Sequence, residues 1–572
     1  MLLKTSYFKK EIWKQGFRST GWIGLAYFFI LLFLLPLEIL MEKSKEDNEM
    51  ISYYQNNAQD LFFINGEIQL VLLFTVPIIA GIFACRYLQV KGSADFMHSL
   101  PVKRSSLFIH QYLIGITMVL LPIVLVACLM WILHGMIDVN YMYQPMDVAS
   151  WLYYTAMCNI FFYSFSYLIG MLTGISVVQG GLTYIFLLFP YGISMLIMYN
   201  LDMVLFGFSE QNGSLLGLFV LFSPFYWVVQ LTMNHAEGIV TWYYWPLSVL
   251  CIGLSFILYR YRQTESASQT LAFSIIKPIF KFGVTICFML LGGVYFGMNQ
   301  QQIIGWSLFG YVIGALLGYF LAEMLIQKSW RVFNKWKGLA IYTGISMIVL
   351  LSLVFDWYGY ETKIPEAADI EGIYFSSGYD GYTFFEDDSE KQPNITDEAL
   401  KQQVISLHQK IISEQIGANE QNIQFTSNTV TTQITYYLTN GNKITREYII
   451  PDRTELDQFI VPILKSDAYK QANFSWLYEE KRTDFKEISV NGVDGRQVVK
   501  DQETIRKIVE ALRKDYLNAS YEDVLESYRY DSGTIQFVDG TDNYYHMPIH
   551  EAYDQTMQVL KEEKLARWFD LK

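Results

Sequence analysis

Two groups of polar side chains in this 572-residue sequence have residue types that could bind a metal ion. His546 and His550 stand four residues apart and Glu551 follows, and zinc accepts ligands of these types. They fall in a predicted strand and turn, where ordinary polar side chains are the alternative. Asp380 and the acidic run 386–388 could offer oxygen ligands to calcium, but a solvated loop has the same composition. We therefore expect the chain to hold no metal and no cofactor.

Motifs for the common catalytic chemistries are absent from the sequence. It contains no G-x-x-x-x-G-K-[ST] phosphate loop, no H-E-x-x-H zinc motif and no G-x-S-x-G nucleophile elbow. The five cysteines lie in apolar runs without C-x-x-C spacing, as small core residues do. They are Cys85, Cys128, Cys158, Cys251 and Cys287. The sequence therefore predicts that this chain is not an enzyme.

A third polar stretch, residues 86–108, suits docking on another protein. It reads RYLQVKGSADFMHSLPVKRSSLF and is a long polar interval with several positive charges between two early apolar runs. Ser93 and Asp95 are expected to cap a short helix that Pro101 stops, with Lys103 and Arg104 at the inner membrane face. The apolar side of this helix would consist of Ala94, Phe96, Met97 and Leu100.

Residues 93–108, SADFMHSLPVKRSSLF, resemble the loop after the second span in ABC-2 type permease subunits of bacterial exporters, particularly those of Gram-positive bacteria. The pattern D-x-x-H-S-L-P-x-x-R carries the resemblance, which covers residues 1–262 at the level of layout. In that family the loop holds a coupling helix that sits in a groove of a separate ATPase subunit, where ATP and Mg²⁺ bind. The resemblance implies an ATPase-coupling set of Ser93, Asp95, Phe96, His98, Ser99, Leu100, Pro101 and Arg104.

The composition divides the chain into two parts. The whole is 52% hydrophobic with mean hydropathy +0.22. Residues 1–357 hold 19 Lys/Arg and 17 Asp/Glu, whereas residues 358–572 hold 23 and 38, a net charge of −15. The first part is expected to lie in a membrane, and the second is expected to form an acidic soluble domain. Nucleic-acid binding is not expected, because the acidic part has no basic face.

Nine apolar stretches each have about the ~20 residues that a membrane-spanning helix needs. They are 21–41, 68–88, 107–133, 152–177, 181–199, 241–259, 278–298, 303–326 and 339–357. The predicted fold is therefore a polytopic α-helical membrane protein of about nine transmembrane helices with a C-terminal α+β soluble domain. Residues 1–20 are predicted to form a separate amphipathic helix at the inner interface, with Lys10, Trp13, Lys14, Phe17 and Arg18 among its residues.

Positive charges set the predicted orientation. With the N-terminus in the cytoplasm, inner segments carry 17 Lys/Arg and the outer loops among the spans carry only Lys43 and Lys45. To preserve this split, residues 215–231 must be re-entrant or interfacial helices broken near Pro224, and not a tenth span. The soluble domain is then extracellular. The ABC-2 resemblance suggests a bacterium and its plasma membrane.

The soluble part shows the same order of helix, hairpin and helix twice. Asn440-Gly441 and Asp539-Gly540 mark turns of hairpins at 434–450 and 533–549, about 99 residues apart. Helices are predicted at 397–415, 454–470, 501–515 and 551–568. Two related subdomains, 358–475 and 484–572, would explain the order as a duplication, and coincidence is the alternative.

Polar residues inside the spans are few. Glu323 is expected to pair near Lys328 or reach the inner surface. Asn159, Ser164 and Ser166 are expected to bond between helices and not to bind substrate. Aromatic residues near the outer ends suggest an interfacial belt, with an exit surface for an amphiphilic substrate as the alternative. They are Trp227, Trp242, Tyr243, Tyr244 and Trp245.

Together these features predict a permease subunit of an ATP-binding cassette transporter. Its parts would be the amphipathic interfacial helix at 1–20, a six-helix permease domain at 21–262, three additional helices at 263–357 and the external domain at 358–572. The resemblance implies an ATPase partner, a second identical or similar permease copy, and hydrophobic or amphiphilic cargo such as antimicrobial peptides, lipids or envelope compounds. The alternative is a membrane-anchored sensor whose acidic external domain recognises a ligand.

Overall fold

The structure is a computed structural model. It describes residues 10–45, 61–209, 220, 222–233, 242–262, 276–299, 304–377, 393–416, 429–451, 454–478, 485–492, 495–520, 534–540, 544–550, 552–563 and 565. The predicted calcium ligands, Asp380 and 386–388, lie outside these residues, as does Glu551.

The protein is mostly helical, with small sheets in its C-terminal region. The helices of the apolar part are α1 (Lys10–Leu32), α2 (Glu38–Lys45), α3 (Gly66–Gln89), α4 (Lys91–Ser99), α5 (Arg104–Met136), α6 (Pro145–Leu172), α7 (Ser176–Val204), α8 (Pro224–Met233), α9 (Tyr244–Tyr261), α10 (Ile276–Asn299), α11 (Ile304–Gln327) and α12 (Trp336–Val354). The chain divides into two compact units, one drawn from Met1–Ile197, Leu215–Leu290 and Val312–Tyr342, the other from Met198–Ser214, Leu291–Tyr311 and Thr343–Lys572.

Eight helices among the described residues are long and apolar enough to cross a membrane, which suggests a multi-pass membrane protein. They account for eight of the nine predicted stretches. The ninth, 241–259, is occupied by α9, whose 18 described residues are not among the eight. Tyr and Arg residues at its end, including Arg260, reduce its apolar character. The run around Pro224 contains the ten-residue α8, which begins at that proline and is too short to span.

The first helix differs from its prediction. No break occurs at residue 20, because α1 runs continuously from Lys10 to Leu32. A five-residue π-helical turn, Phe33–Leu37, joins it to α2 and contains Pro36. Proline has no N–H and clashes with the preceding turn, and widening that turn accommodates it. One apolar helix, Glu11–Lys45, results.

Glycines let α1 lie close against α5. A side chain at Gly16 would collide with Ile114, and one at Gly24 would collide with the Met118 carbonyl oxygen, 2.8 Å from the ideal Cβ position. Such close approach of backbones is how helices associate in an apolar medium, where burial alone gives little driving force. The core of this unit is built mainly from α1, α3, α5, α6 and α9.

A second close approach joins α10 and α11. Gly310, Gly314 and Gly318 recur every four residues on α11. In the first unit, a Cβ at Gly314 would meet the Phe288 carbonyl, and one at Gly318 would lie 2.7 Å from the Phe288 Cβ. In the second unit, Gly310 faces the Gly292 carbonyl in the same way. The repeated G-x-x-x-G spacing therefore sets the separation of these two helices.

We predict that Gly314→Leu destabilises the protein by about 1–3 kcal/mol, because the added side chain forces α10 away from α11. The measurement is thermal unfolding of the purified full chain followed by tryptophan fluorescence. Gly344→Leu on α12 is the matched control, since nothing lies within 4 Å of a Cβ there. Equal melting temperatures for the two variants would refute the close packing.

Two small antiparallel sheets form the C-terminal region. The first has the strand order β1-β2-β3, with β1 at Ile370–Ser377, β2 at Thr429–Leu438 and β3 at Lys443–Pro451. The second has the order β5-β4-β6-β7, with β4 at Glu487–Gly492, β5 at Gly495–Val499, β6 at Thr534–Val538 and β7 at Tyr544–Pro548. The helices are α13 (Glu398–Glu414), α14 (Thr454–Lys465), α15 (Asp467–Asn473), α16 (Ser475–Tyr478), α17 (Gln502–Asn518) and α18 (Asp554–Glu562).

The two sheets share one chain path. In each, a strand is followed by a long helix, then a hairpin whose first strand pairs antiparallel with that initial strand, then another helix. The hairpin β4–β5 adds an edge strand to the second sheet. A common origin of the two halves stays a prediction, and the shared path agrees with it.

Both predicted hairpins are confirmed. Gly441 has φ +80°, and β2 pairs with β3 across Asn440-Gly441 as expected. The second hairpin is present, but β6 ends at Val538 and β7 starts only at Tyr544. Asp539-Gly540 therefore lies in the connection of this hairpin, as predicted.

A histidine lies at the centre of the first sheet's core. His408 on α13 is fully buried, and its two ring nitrogens lie 2.8 Å from the hydroxyls of Tyr436 and Tyr448. A neutral imidazole can donate to one hydroxyl and accept from the other. Burial, with a smaller effect of Arg446, lowers the pKa of His408 to about 3.

Buried side chains also close helix ends in this region. The Lys470 ammonium donates to the carbonyls of Leu517 and Ala519 at the end of α17, 2.8 and 2.9 Å away. Asp515 accepts from the backbone N–H and hydroxyl of Thr556 in the first turn of α18. A cation at a helix C-terminus and a carboxylate at an N-terminus both complement the helix dipole. Lys470 thereby joins the segment after the first sheet to the second.

The segment after α12 is held on the first sheet. Arg446 of β3 is buried, donates to the Tyr360 carbonyl at 2.7 Å and stacks 3.9 Å above the Tyr360 ring. The Glu361 carboxylate accepts from the Phe206 N–H at 2.9 Å. The Phe206 ring packs on Tyr448, and Gly207 lies against that same ring with φ +71°. The residues following α7 and those following α12 are therefore fixed to one edge strand.

We predict that acid weakens the first sheet's core through His408. The pKa of His408 is about 3 in the folded state and about 6.5 in the unfolded state. As the pH falls, the unfolded state therefore binds the proton first. The contribution of His408 to the free energy of unfolding is fully present above pH 6.5 and is lost on acidification towards pH 3. Between pH 7 and pH 5 the free energy of unfolding falls by about 2 kcal/mol.

Pulse proteolysis of the full chain in urea at both pH values measures this loss. His408→Gln keeps a donor and an acceptor but does not titrate, so its loss should be smaller by about 2 kcal/mol. His550→Gln, outside the core, is the control and should behave as the native chain does. An unchanged pH dependence in His408→Gln would contradict the assignment.

Candidate functional site

The predicted docking loop contains the nine-residue helix α4. It begins after Val90, which is extended (φ −100°, ψ 117°), and the Ala94 N–H bonds to the Val90 carbonyl at 2.9 Å. It ends at Ser99, because Leu100 precedes Pro101 and takes the extended conformation (φ −66°, ψ 143°) that proline imposes on its neighbour. The predicted stop at Pro101 is confirmed.

The predicted capping of α4 is wrong. Ser93 and Asp95 lie inside the helix, which starts two residues before Ser93, and no side chain caps it. The polypeptide turns directly from α3 into α4 at Val90, whose carbonyl accepts the first helical bond. Ser93 and Asp95 are exposed as a result and are available to a partner.

The predicted apolar side of α4 is split between two faces. Ala94 and Met97 are 2% and 5% exposed and hold the helix on the core, and Leu100 packs beside them. Phe96 points away from that face and is 56% exposed. Phe96 is thus a large apolar side chain that α4 leaves accessible at the surface. The exposed members of the predicted set are Ser93, Asp95, Phe96, Ser99, Pro101 and Arg104.

His98, another predicted coupling residue, faces inward in part. Its Nδ1 lies 2.8 Å from the Ala94 carbonyl, and its ring centre is 6.3 Å from that of Tyr259 on α9. Tyr259 also packs on Phe108 of α5. His98 therefore connects α4 with the helices behind it and is less available to a partner than Phe96.

A buried arginine supports the base of this loop. Arg262, directly after α9, is 6% exposed and donates to the carbonyls of Gly170 and Met171 at 2.7 and 2.8 Å. A weaker contact, 3.4 Å, reaches the Leu88 carbonyl two residues before the turn into α4. Carbonyls at helix ends lack intrahelical partners, and one guanidinium satisfies those of α6 and α3 together. In the sequence, Arg262 is one of the 17 inner positive charges, and nothing in its spacing indicates this role.

Side-chain amides continue this support. Gln89, the last residue of α3, donates to the Gln179 side chain at 2.6 Å and accepts from Ser176 at 2.5 Å. Gln179 in turn donates to the Ser166 carbonyl at 2.9 Å. These buried bonds tie α3 to α6 and α7 immediately before α4 begins. A displacement of α4 is therefore resisted at its root.

Tyrosines from several helices meet behind α4. The Tyr87 hydroxyl approaches those of Tyr167 and Tyr259, but none of the three forms a hydrogen bond of ordinary geometry with a described residue. Each such buried hydroxyl costs about 1–3 kcal/mol. A small shift of these helices can therefore gain hydrogen bonds.

The residues predicted for the interfacial helix lie in the first turns of α1. Lys14, Phe17 and Arg18 are exposed, and Trp13 is partly buried against the core with its ring 5.7 Å from Phe17. The Lys10 side chain lies outside the description. Basic and aromatic side chains thus share this end of α1, although the helix continues straight into the apolar part.

Polar residues within the spans bond between helices, as predicted. Asn159 contacts the Tyr27 hydroxyl at 3.4 Å, Ser164 bonds to the Tyr112 hydroxyl at 2.7 Å, and Ser166 donates to the Ile78 carbonyl at 3.1 Å. Glu323 pairs with Lys281 at 3.5 Å and accepts from Gln327. Lys281 on α10 is thus a partner of Glu323 that sequence analysis missed.

The residues predicted for an aromatic belt differ in burial. Trp227 and Tyr244 are buried core residues that pack on each other, whereas Trp242 and Trp245 are exposed.

Among the described residues there is no group of three or more His, Cys, Asp or Glu side chains that could hold a metal ion. His546 lies in β7, where it pairs with Gln536, and His550 follows the strand.

Comparison with known proteins adds no assignment: no family model, no curated protein and no solved structure matches the chain. The site must therefore be judged by its own geometry.

We predict that Arg262→Ala loosens the root of α4. Loss of the contacts between Arg262 and the backbone carbonyls should lower the free energy of unfolding by about 2–4 kcal/mol, because charged hydrogen bonds are removed and buried carbonyls are left unpaired. Hydrogen–deuterium exchange of the full chain should be faster in residues 86–100 and 166–176. Arg260→Ala is the matched control, since the exposed Arg260 stacks only on Phe256. Unchanged exchange in Arg262→Ala would overturn the supporting role.

Proposed function

We propose that this chain is the membrane permease subunit of an ATP-binding cassette transporter of the ABC-2 type. A separate ATPase subunit would dock on α4 and supply the energy of ATP hydrolysis, and this chain would catalyse no reaction. The observation that carries the proposal is a short rigid helix between two long apolar helices, buried on Ala94 and Met97 and presenting Phe96 outward.

Rigidity is what this role requires. A force applied to α4 by a closing partner reaches the long helices only if α4 cannot slide on them. Arg262 and the Gln89–Gln179 pair fix its root, and Met97 and Ala94 fix its body. His98 and Tyr259 add a contact with α9. These contacts support transmission from α4 to α3, α5, α6 and α9.

The proposed orientation places α4 in the cytoplasm and the two sheets outside a bacterial plasma membrane. Its support is the distribution of 17 Lys/Arg in inner segments against two in the outer loops among the spans. A second permease copy, identical or similar, would complete the translocation path, since the six-helix part is half of the usual set in the resembled family. Hydrophobic or amphiphilic cargo is proposed on the same resemblance.

A sensing role for the external domain is the second candidate. It is favoured by the attachment of β3 to the segments that follow α7 and α12, through Tyr448 with Phe206 and Arg446 with Tyr360. A ligand on this acidic domain could thereby influence apolar helices directly. The two roles are compatible, because an exporter can also sense its substrate.

We predict that a P-loop ATPase co-purifies with the full chain from its own host and that Phe96→Asp reduces its recovery at least tenfold. A carboxylate at the centre of an apolar contact costs about 2 kcal/mol or more on docking. Mass spectrometry of the eluate measures the recovery. Val498→Asp, an exposed apolar position on β5, is the matched control and should retain the ATPase.

The outcomes separate the two candidates. Absence of any ATPase from the native chain under mild conditions would refute the permease assignment and direct work to the external domain. Equal loss in Phe96→Asp and Val498→Asp would show that α4 is not the docking site.

A further inference from the structure

The connection between α11 and α12 has a composition unlike the other connections. Residues 328–337, hereafter the basic aromatic loop, read KSWRVFNKWK and alternate cations with aromatic rings. No Asp or Glu occurs between Glu323 and Asp356. The nearest of these carboxylates, Glu323, is already paired with Lys281. The positive charges of Arg331 and Lys337 are therefore not balanced by carboxylates close to them in the sequence.

The basic aromatic loop is folded against the helices at one point. Val332 is buried, and the Phe333 ring packs 5.0 Å from Phe320 of α11. The Ser329 hydroxyl accepts from the Arg331 N–H at 3.2 Å, and a short 3₁₀ turn, Phe333–Lys335, leads into α12. Trp330 and Trp336 take no part in these contacts.

Those side chains face outward. Trp330 is 79% exposed, and Phe333 and Trp336 are exposed by about 60%. Arg331 and Lys337 are also exposed, and neither forms an ion pair with a described residue. Large rings and unpaired cations together form a surface that water alone solvates poorly. This surface requires a partner with both negative charge and apolar groups.

The same surface continues onto a helix that is apolar and exposed. Ile341, in the second turn of α12, is 66% exposed. A partner that covers both the loop and this helix must carry its charge at one end and hydrocarbon along its length. A phospholipid with a net negative headgroup has this form.

We propose that the basic aromatic loop binds anionic phospholipid. Arg331 and Lys337 would contact the headgroup phosphate, which attracts cations at the membrane surface. Trp330, Phe333 and Trp336 would lie at the level of the glycerol, where aromatic rings are enriched. The acyl chains would cover α12. The proposal rests on α11 and α12 crossing a membrane and does not depend on an ATPase partner.

The test uses tryptophan quenching in the full chain reconstituted into phosphatidylcholine vesicles. One preparation contains brominated phosphatidylglycerol and the other the same fraction of brominated phosphatidylcholine. We expect phosphatidylglycerol to quench more strongly. Trp330→Phe with Trp336→Phe should remove the difference, which assigns it to the loop among the 13 tryptophans.

The charge requirement is tested with Lys328, Arg331 and Lys337 all changed to Gln. The preference for phosphatidylglycerol should fall by roughly fivefold for each cation that contributes. Lys465, Lys500 and Arg506 changed to Gln are the matched control, because these exposed cations lie in the sheet region. That control should keep the preference.

A measurement on the native chain needs no variant. In about 1 M salt the Debye length is ~3 Å, so the quenching difference should largely disappear. Equal quenching by the two lipids at low salt would overturn the proposal. An equal loss of preference in the control triple variant would also overturn it, because net charge and not the loop would then be responsible.

Discussion

Backbone carbonyls at helix ends need partners, and in an apolar medium water does not supply them. The junction where α3 and α6 end and α4 begins shows how this constraint is met. The Arg262 guanidinium bonds to Gly170 and Met171 and lies near Leu88, so three carbonyls from two helices share one cation. The position of α4 depends on this junction, because its first residue follows Leu88 by only three positions.

The same constraint explains the other internal contacts of the apolar part. Gln89, Gln179 and Ser166 form a buried chain of hydrogen bonds with one another. Where no polar group is available, glycines bring backbones together, as at Gly24 and Gly314. Hydrogen bonds thus fix the end that would meet a partner, whereas close packing fixes the separation of the long helices elsewhere.

Sequence reasoning succeeded where a local signal determines a local structure. Asp397 and Gln415 bound α13 as expected, with Asp397 capping two backbone N–H groups and Gln415 in the left-handed region. It was wrong where the outcome depends on distant neighbours. Trp227 is buried because α9 covers it, and Arg262 is buried because two helix ends meet there. Neither fact follows from spacing along the chain. The start of α4 was misplaced because a backbone carbonyl, and not a side chain, begins that helix.

The π-helical turn Phe33–Leu37 changes which side of the helix the residues after it occupy. A π turn holds about one residue more than an α turn, so side chains after it are rotated by roughly 100° relative to an uninterrupted helix. With that rotation the buried Ile39 lies on the same side of the helix as Gly16 and Gly24, whereas in an uninterrupted helix it would lie roughly 60° beyond Gly24. Deletion of a single residue here would give a more regular helix whose last two turns point in the wrong direction. An insertion of this kind lets one continuous helix keep the same side buried before and after its proline.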